Sequence, residues 1–283
     1  AEKFAEEVEK LSDGKMKIQV YPNGTIGGDR ELLESCKDGD IPFVIQNTAP
    51  QVTFMPDLAV FDIPCRFSTI DEVREKVDDP EFYGILEDVY ENGGYKLLGY
   101  ADQGFRVMST NKMVESLADF KGQKIRTMEN QVHIAFWKAM GADATPMSWG
   151  EAYTALQQGA LDGQENPATV ILTNNVAQVN NHLAMTEHAY STVFLVMSPE
   201  TWASFDDETK ETFKRVMAEC SIEERELSRK MDSEAVAELE KQGMTVTYPD
   251  KQQFIDKAAD LYAQWEEQYG DVISEIRSLS SEN

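Results

Sequence analysis

Ala144-Thr145-Pro146-Met147-Ser148-Trp149-Gly150-Glu151 opens the stretch that decides the fold, and Leu161-Asp162-Gly163-Gln164-Glu165-Asn166-Pro167 closes it. Residues 144–147 predict a short strand. Ser148 followed three positions later by Glu151 is the pattern of a capping box, in which the serine caps the helix and the glutamate reaches back. A helix over 151–158 follows, Gly159 ends it, and 161–164 form a second strand leading to Asn166.

The same grammar occurs earlier in the chain. Met16, Ile18 and Val20 alternate with polar residues as a half-buried strand does. Asp29 stands where it can cap a helix over 30–37, Gly39 closes that helix, and a compact apolar strand over 41–45 ends in Gln46 and Asn47. The two passages predict an α/β fold of two similar lobes, each presenting an amide at the end of a strand. In open α/β sheets ligands sit outside the carboxyl ends of the strands. Two such ends facing each other make a cleft.

The rest of the chain suits this plan. Residues 95–100 and 106–109 read as strands that connect the lobes, and 124–128 as another strand, followed by a helix over 131–140. Residues 206–242 have nearly unbroken helical composition, long enough to bridge both lobes. Met244, Val246 and Tyr248 alternate as a late strand, with helices over 252–268 and 271–277 after it. The expected division is lobe I over 1–103 and 192–231, and lobe II over 104–191 and 232–283. The sequence begins inside a helical pattern, so a first strand and any export signal or anchoring cysteine are expected to lie before Ala1.

Composition narrows the function. With 26 Lys and Arg against 51 Asp and Glu, the net charge is −25, which opposes nucleic-acid binding and adsorption to anionic membranes. No apolar run approaches the roughly 18 residues of a spanning helix. The cysteines Cys36, Cys65 and Cys220 and the histidines His133, His182 and His188 have no metal-ligand spacing. No cofactor motif or nucleophile motif is present. The odd count leaves at least one free thiol, and Cys36 with Cys65 is the candidate disulfide pair. The carboxylate pairs Asp78-Asp79 and Asp206-Asp207 stand where helices start and read as caps.

Two arginines stand inside apolar strands: Arg106 in Gly104-Phe105-Arg106-Val107 and Arg126 in Lys124-Ile125-Arg126-Thr127-Met128. Such an arginine is either a surface or ion-paired residue, or a guanidinium fork that grips a carboxylate with two parallel hydrogen bonds. Asn166 either caps a helix starting at Pro167 or orients a ligand. Trp149 either packs between the lobes or stacks on a ligand, and Gln46 and Asn47 carry the same choice in the first lobe.

Several blocks together resemble the solute-binding proteins of tripartite ATP-independent periplasmic (TRAP) transporters. They are Phe120-Lys121-Gly122-Gln123-Lys124-Ile125-Arg126, then Ala152-Tyr153-Thr154-Ala155-Leu156-Gln157-Gln158-Gly159, then Asp162 through Pro167. Tyr21-Pro22, Gly27-Gly28-Asp29-Arg30-Glu31-Leu32, Gly104-Phe105-Arg106 and Leu183-Ala184-Met185-Thr186 with His188 follow the family order over nearly the whole chain. The resemblance implies a non-enzymatic, extracytoplasmic, monomeric binder of a small organic anion that serves a membrane permease, with no cofactor. It implies that Arg126 forms the main salt bridge to the ligand carboxylate, that Arg106 assists, that Asn166 orients the ligand and that Trp149 lines the pocket. An amide rather than an acid at Asn47, beside Gln46, suits a hydroxylated acid, because an amide donates to and accepts from hydroxyls. A uronate or aldonate is the first expectation and a C4-dicarboxylate the second. A receptor-coupled sensor and an enzyme built on His133 or His188 are the rival classes.

Overall fold

A computed structural model describes the backbone of residues 1–278 and the side chains through residue 270. Its strands are β1 (Phe43–Asn47), β2 (Lys96–Thr110), β3 (Lys124–Thr127), β4 (Asp143–Pro146), β5 (Gly163–Pro167), β6 (His182–Met197) and β7 (Thr245–Thr247). They form one mixed sheet in the order β1-β6-β2-β5-β3-β4, with β7 alongside β6. β3 runs parallel to both β4 and β5, whereas β2 and β6 are antiparallel to each other along most of their length. The expected connecting strands over 95–100 and 106–109 are therefore one strand of 15 residues. Register shifts break the β2–β6 ladder between Leu97 and Gly99, Asp102 and Gly104, and Arg106 and Met108. These bulges twist the pair locally and let two long strands serve both halves of the sheet.

The helix Asp207–Lys241 has 35 residues, about 52 Å at 1.5 Å per residue, and the Asp206 carboxylate caps it by accepting from Thr209 N–H at 2.8 Å. It buries residues only toward its two ends. Phe213, Val216 and Met217 pack with Phe4, Val8, Leu98, Leu195 and Met197. Ala235 and Leu239 pack with Val107, Leu156, Leu161, Ile171 and Leu183. Between them the helix crosses β2, where Glu224 accepts from Asp102 N–H at 2.9 Å. Gly99 leaves room for Met217 of the helix, since a Cβ there would meet the Met217 Cγ at 2.4 Å. The remaining core centres on Phe194 of β6, whose ring centroid lies 5.6 Å from those of Phe61 and Tyr90.

Several local expectations need correction. Residues 16–20 join no strand. Met16 and Ile18 instead pack onto the Phe4–Phe213 cluster, so their alternation records one-sided packing without a ladder partner. Asp29 is the first residue of the helix Asp29–Asp38 rather than its cap; Gly28 is the N-cap and its N–H donates to the Glu31 carboxylate at 3.0 Å. Ser148 is the N-cap of the helix Trp149–Gln157 as expected, but its side chain makes no cap bond to the backbone; its hydroxyl donates to Glu151 at 2.8 Å. Tyr248 lies beyond β7 and is exposed. All three cysteines are free. Asp79 does cap its helix, accepting from Glu81 and Phe82 N–H groups. Residues 279–283, at the end of the expected lobe II, lie outside the described residues.

Candidate functional site

β1, β3 and β5 deliver Asn47, Arg126 and Asn166 near their carboxyl ends. Arg126 is 2 % exposed. Its Nε donates to the Met147 carbonyl at 2.8 Å, and its guanidinium carbon stands 5.5 Å from the centroid of the Trp149 ring. Among the described residues this is its one hydrogen bond, and no carboxylate pairs with it. Both terminal nitrogens are left without a partner. Burial and the neighbouring Arg106 charge lower its pKa to about 10, against the pull of Glu165, Asp29 and Glu129. It stays cationic at neutral pH.

Arg106 has the opposite environment. Nε donates to Glu165 Oε2 at 2.5 Å, and Nη2 donates to Glu165 Oε1 at 3.0 Å, to the Glu165 carbonyl at 2.6 Å and to Asn166 Oδ1 at 3.1 Å. Nη1 reaches Ser191 Oγ at 3.4 Å. Glu165 also pairs with His188 Nε2 at 3.0 Å, and His188 Nδ1 lies 2.9 Å from Thr186 Oγ1. Burial alone would raise the Glu165 pKa, but Arg106 and His188 hold it well below the usual carboxylate range. Burial also depresses the His188 pKa, which favours the neutral ring. The ion-paired alternative weighed for the two arginines therefore holds for Arg106 and not for Arg126.

The other expected residues divide in the same way. Asn166 does not cap the following helix, whose N-cap is Pro167; its amide accepts from Arg106 and donates to Gln164 Oε1 at 2.7 Å. Asn47 donates to Gln103 Oε1 at 2.6 Å and to Ser191 Oγ at 2.7 Å. The amides of the two strand ends are thus joined by the chain Asn47–Ser191–Arg106–Asn166. Gln46 is 5 % exposed and donates to the backbone carbonyl of Asp29 at 2.6 Å, which ties the start of a helix to β1. Trp149 donates its indole N–H to Asn174 Oδ1 at 3.3 Å, which fixes the ring beside Arg126.

Five residues of this region were not among the expected site residues. Glu165 lay inside a quoted block but has no spacing signal that assigns it to Arg106. Gln103 and Ser191 meet only through the β2–β6 register. Asp29 and Glu129 both act on the charge of Arg126, and burial together with Glu129 raises the Asp29 pKa while Arg126 opposes the rise. An open cavity of ≈ 220 Å³ lies beside Glu129, with Arg30, Pro50 and Thr53 from the first 60 residues facing Gln131, Ile134 and Pro146. No group of His, Cys, Asp and Glu among the described residues could hold a metal.

A buried arginine with free terminal nitrogens, at the carboxyl end of a strand in an α/β sheet, is the arrangement that a binding protein for a small anion requires. The profile of DctP, bacterial extracellular solute-binding protein, family 7, matches residues 1–268, and the chain belongs to that family. A solute-binding protein of Verminephrobacter eiseniae is 36 % identical over 278 residues, covering 97 % of this chain and 83 % of the relative. A TRAP periplasmic solute-binding protein from Polaromonas sp. JS666, solved with D-erythronate bound, is similar at 34 % identity and TM-score 0.92, over 97 % of this chain and 91 % of that one. The sugar-acid-binding protein of Advenella mimigardefordensis, solved with galactonate, is similar at 30 % identity and TM-score 0.93, over 97 % and 90 %.

Proposed function

We propose that this protein captures a hydroxylated monocarboxylic acid, an aldonate or uronate, outside the cytoplasm and presents it to a membrane permease pair. The observation that carries the reading is Arg126. A buried, unpaired guanidinium is costly unless an anion completes it, and its two terminal nitrogens match the two oxygens of a carboxylate. The sugar acids bound by the Polaromonas and Advenella proteins support the ligand class.

One carboxylate fits better than two. Asp29 and Glu129 act on the charge of Arg126, and Glu129 lines the open cavity, so a second carboxylate in that cavity would meet like charge. Hydroxyls would instead find acceptors there. An enzymatic role for His188 is disfavoured, since its ring is buried against Glu165 behind Arg106. His133 is likewise buried, 3.3 Å from Asp62.

In this reading lobe I comprises residues 1–103 and 192–231 and lobe II the remainder. The bulged crossing of β2 and β6 is then the hinge, and ligand binding favours the closed state. The protein acts as a monomer and needs no cofactor. A thermal-shift screen against aldonates, uronates, C4-dicarboxylates, keto acids and amino acids tests it. A ligand selective for the native state must raise the melting temperature. The expected result is a clear rise with hydroxylated monocarboxylates; a response confined to amino acids would refute the reading.

A further inference from the structure

Gln103 is the extra residue of a bulge. Asp102 pairs with Thr192 and Gly104 with Ser191, which leaves Gln103 outside the ladder. Gly104, at φ +105°, has a backbone conformation suited to glycine and completes the turn of the strand. Bulges re-aim side chains, and are common beside binding sites. Here the bulge carries the Gln103 amide to Asn47 and Ser191. The three side chains form a closed triangle: Asn47 Nδ2 donates to Gln103 Oε1 at 2.6 Å and to Ser191 Oγ at 2.7 Å, and Ser191 Oγ donates to Gln103 Oε1 at 3.1 Å.

Arg106 Nη1 donates to the same Ser191 oxygen at 3.4 Å. An arginine has only donors, so the single hydroxyl hydrogen of Ser191 must go to one of the two amide oxygens. If it goes to Gln103 Oε1, Asn47 spends both N–H groups inside the triangle. Asn47 Oδ1 and the Gln103 NH2 are then left over. If both amides are reversed, Gln103 spends its N–H groups and the leftovers are Gln103 Oε1 and the Asn47 NH2. Either way, one carbonyl oxygen and one NH2 remain outside the triangle, on two half-buried residues.

From this we infer that Gln103, locked to Asn47 through Ser191, is a specificity-determining residue whose donor–acceptor couple reads a hydroxyl of the bound acid. A hydroxyl donates and accepts, so it satisfies both members. A second carboxylate offers only acceptors and opposes the free carbonyl, while an ammonium offers only donors and opposes the free NH2. The inference rests on the proposed binding of a hydroxy acid at Arg126 and names the group that selects among such acids.

The test is calorimetric titration of wild type and Gln103→Met with D-erythronate, with 3,4-dihydroxybutanoate, which lacks the 2-hydroxyl, and with 2,4-dihydroxybutanoate, which lacks the 3-hydroxyl. Wild type should prefer erythronate over at least one of the other two by roughly tenfold, the value of one to two hydrogen bonds. Gln103→Met should lose that preference while binding the less favoured acid about as wild type does. An unchanged preference in Gln103→Met overturns the inference. Should the variant fail to fold, the wild-type comparison decides alone: equal binding of all three acids overturns the role of Gln103 and leaves Arg126 as the carboxylate anchor. Failure of wild type to bind any of the three, or any aldonate or uronate in the wider screen, removes the binding reading itself and this inference with it.

Discussion

Replacing Arg126 by methionine separates a binding residue from a structural one, because the two roles predict opposite changes in stability. The guanidinium is buried with no carboxylate in ion-pair contact, and its surroundings lower its pKa to about 10. At about 1.4 kcal/mol per unit, that fall corresponds to about 3 kcal/mol by which the surroundings, burial foremost, disfavour the charged form. Methionine fills similar space and removes this cost. It also removes the hydrogen bond to the Met147 carbonyl and the contact with Trp149, each worth about 1 kcal/mol. The ligand-free variant should therefore be as stable as wild type or more stable by about 1 kcal/mol, a rise of about 2 °C. Affinity should move the other way. Loss of one partner of a desolvated, doubly hydrogen-bonded pair costs about 2–5 kcal/mol, so binding of the preferred acid should weaken by roughly a hundredfold. Thermal unfolding without ligand and calorimetry with it read the two effects separately. A ligand-free variant several degrees less stable than wild type would make Arg126 a structural residue and refute the reasoning.

Further outcomes follow from the same contacts. Arg106→Met strands the fully buried Glu165 carboxylate, so chemical denaturation at pH 7 should show a loss of about 3–5 kcal/mol. The Glu165 pKa is depressed in wild type. Its contribution is therefore present above the unfolded value and lost as pH falls, and the gap between wild type and variant should narrow in acid. Asp232 is raised to about 6 by burial and by Glu187. Between its unfolded value and about 6 the native state holds the extra proton, so stability from this group declines as pH rises through that window. Asp232→Asn should consequently stabilise the protein at pH 7 by about 1 kcal/mol after allowance for solvent screening, and have little effect at pH 4. Asp29→Asn combined with Glu129→Gln should raise affinity for succinate several-fold relative to erythronate; parallel changes for both acids would show that these carboxylates do not discriminate.

The sequence carried the elements of this protein further than their partners. Arg126 within an apolar strand, Asn166 before a proline and the long uninterrupted helical stretch could all be found from residue type and spacing, and they occupy the expected places. By strand spacing alone Arg106 was equivalent to Arg126, because both are strand arginines. What separates them is Glu165, which neighbours Asn166 in sequence but reaches Arg106 only through the pairing of β2 with β5. Gln103 and Ser191 were invisible for a similar reason: they are 88 positions apart, and their meeting depends on a bulge that no periodicity encodes. The alternation of Met16, Ile18 and Val20 misled because a segment packed on one side has the period of a strand whether or not another strand pairs with it.

The most direct test of the account is a crystal structure of the protein with D-erythronate bound. The account predicts the ligand carboxylate on the two terminal nitrogens of Arg126, at roughly 2.7–2.9 Å, with the Arg106–Glu165 pair intact. A carboxylate held by Arg106 in place of Glu165, or one bound away from both arginines, would contradict it.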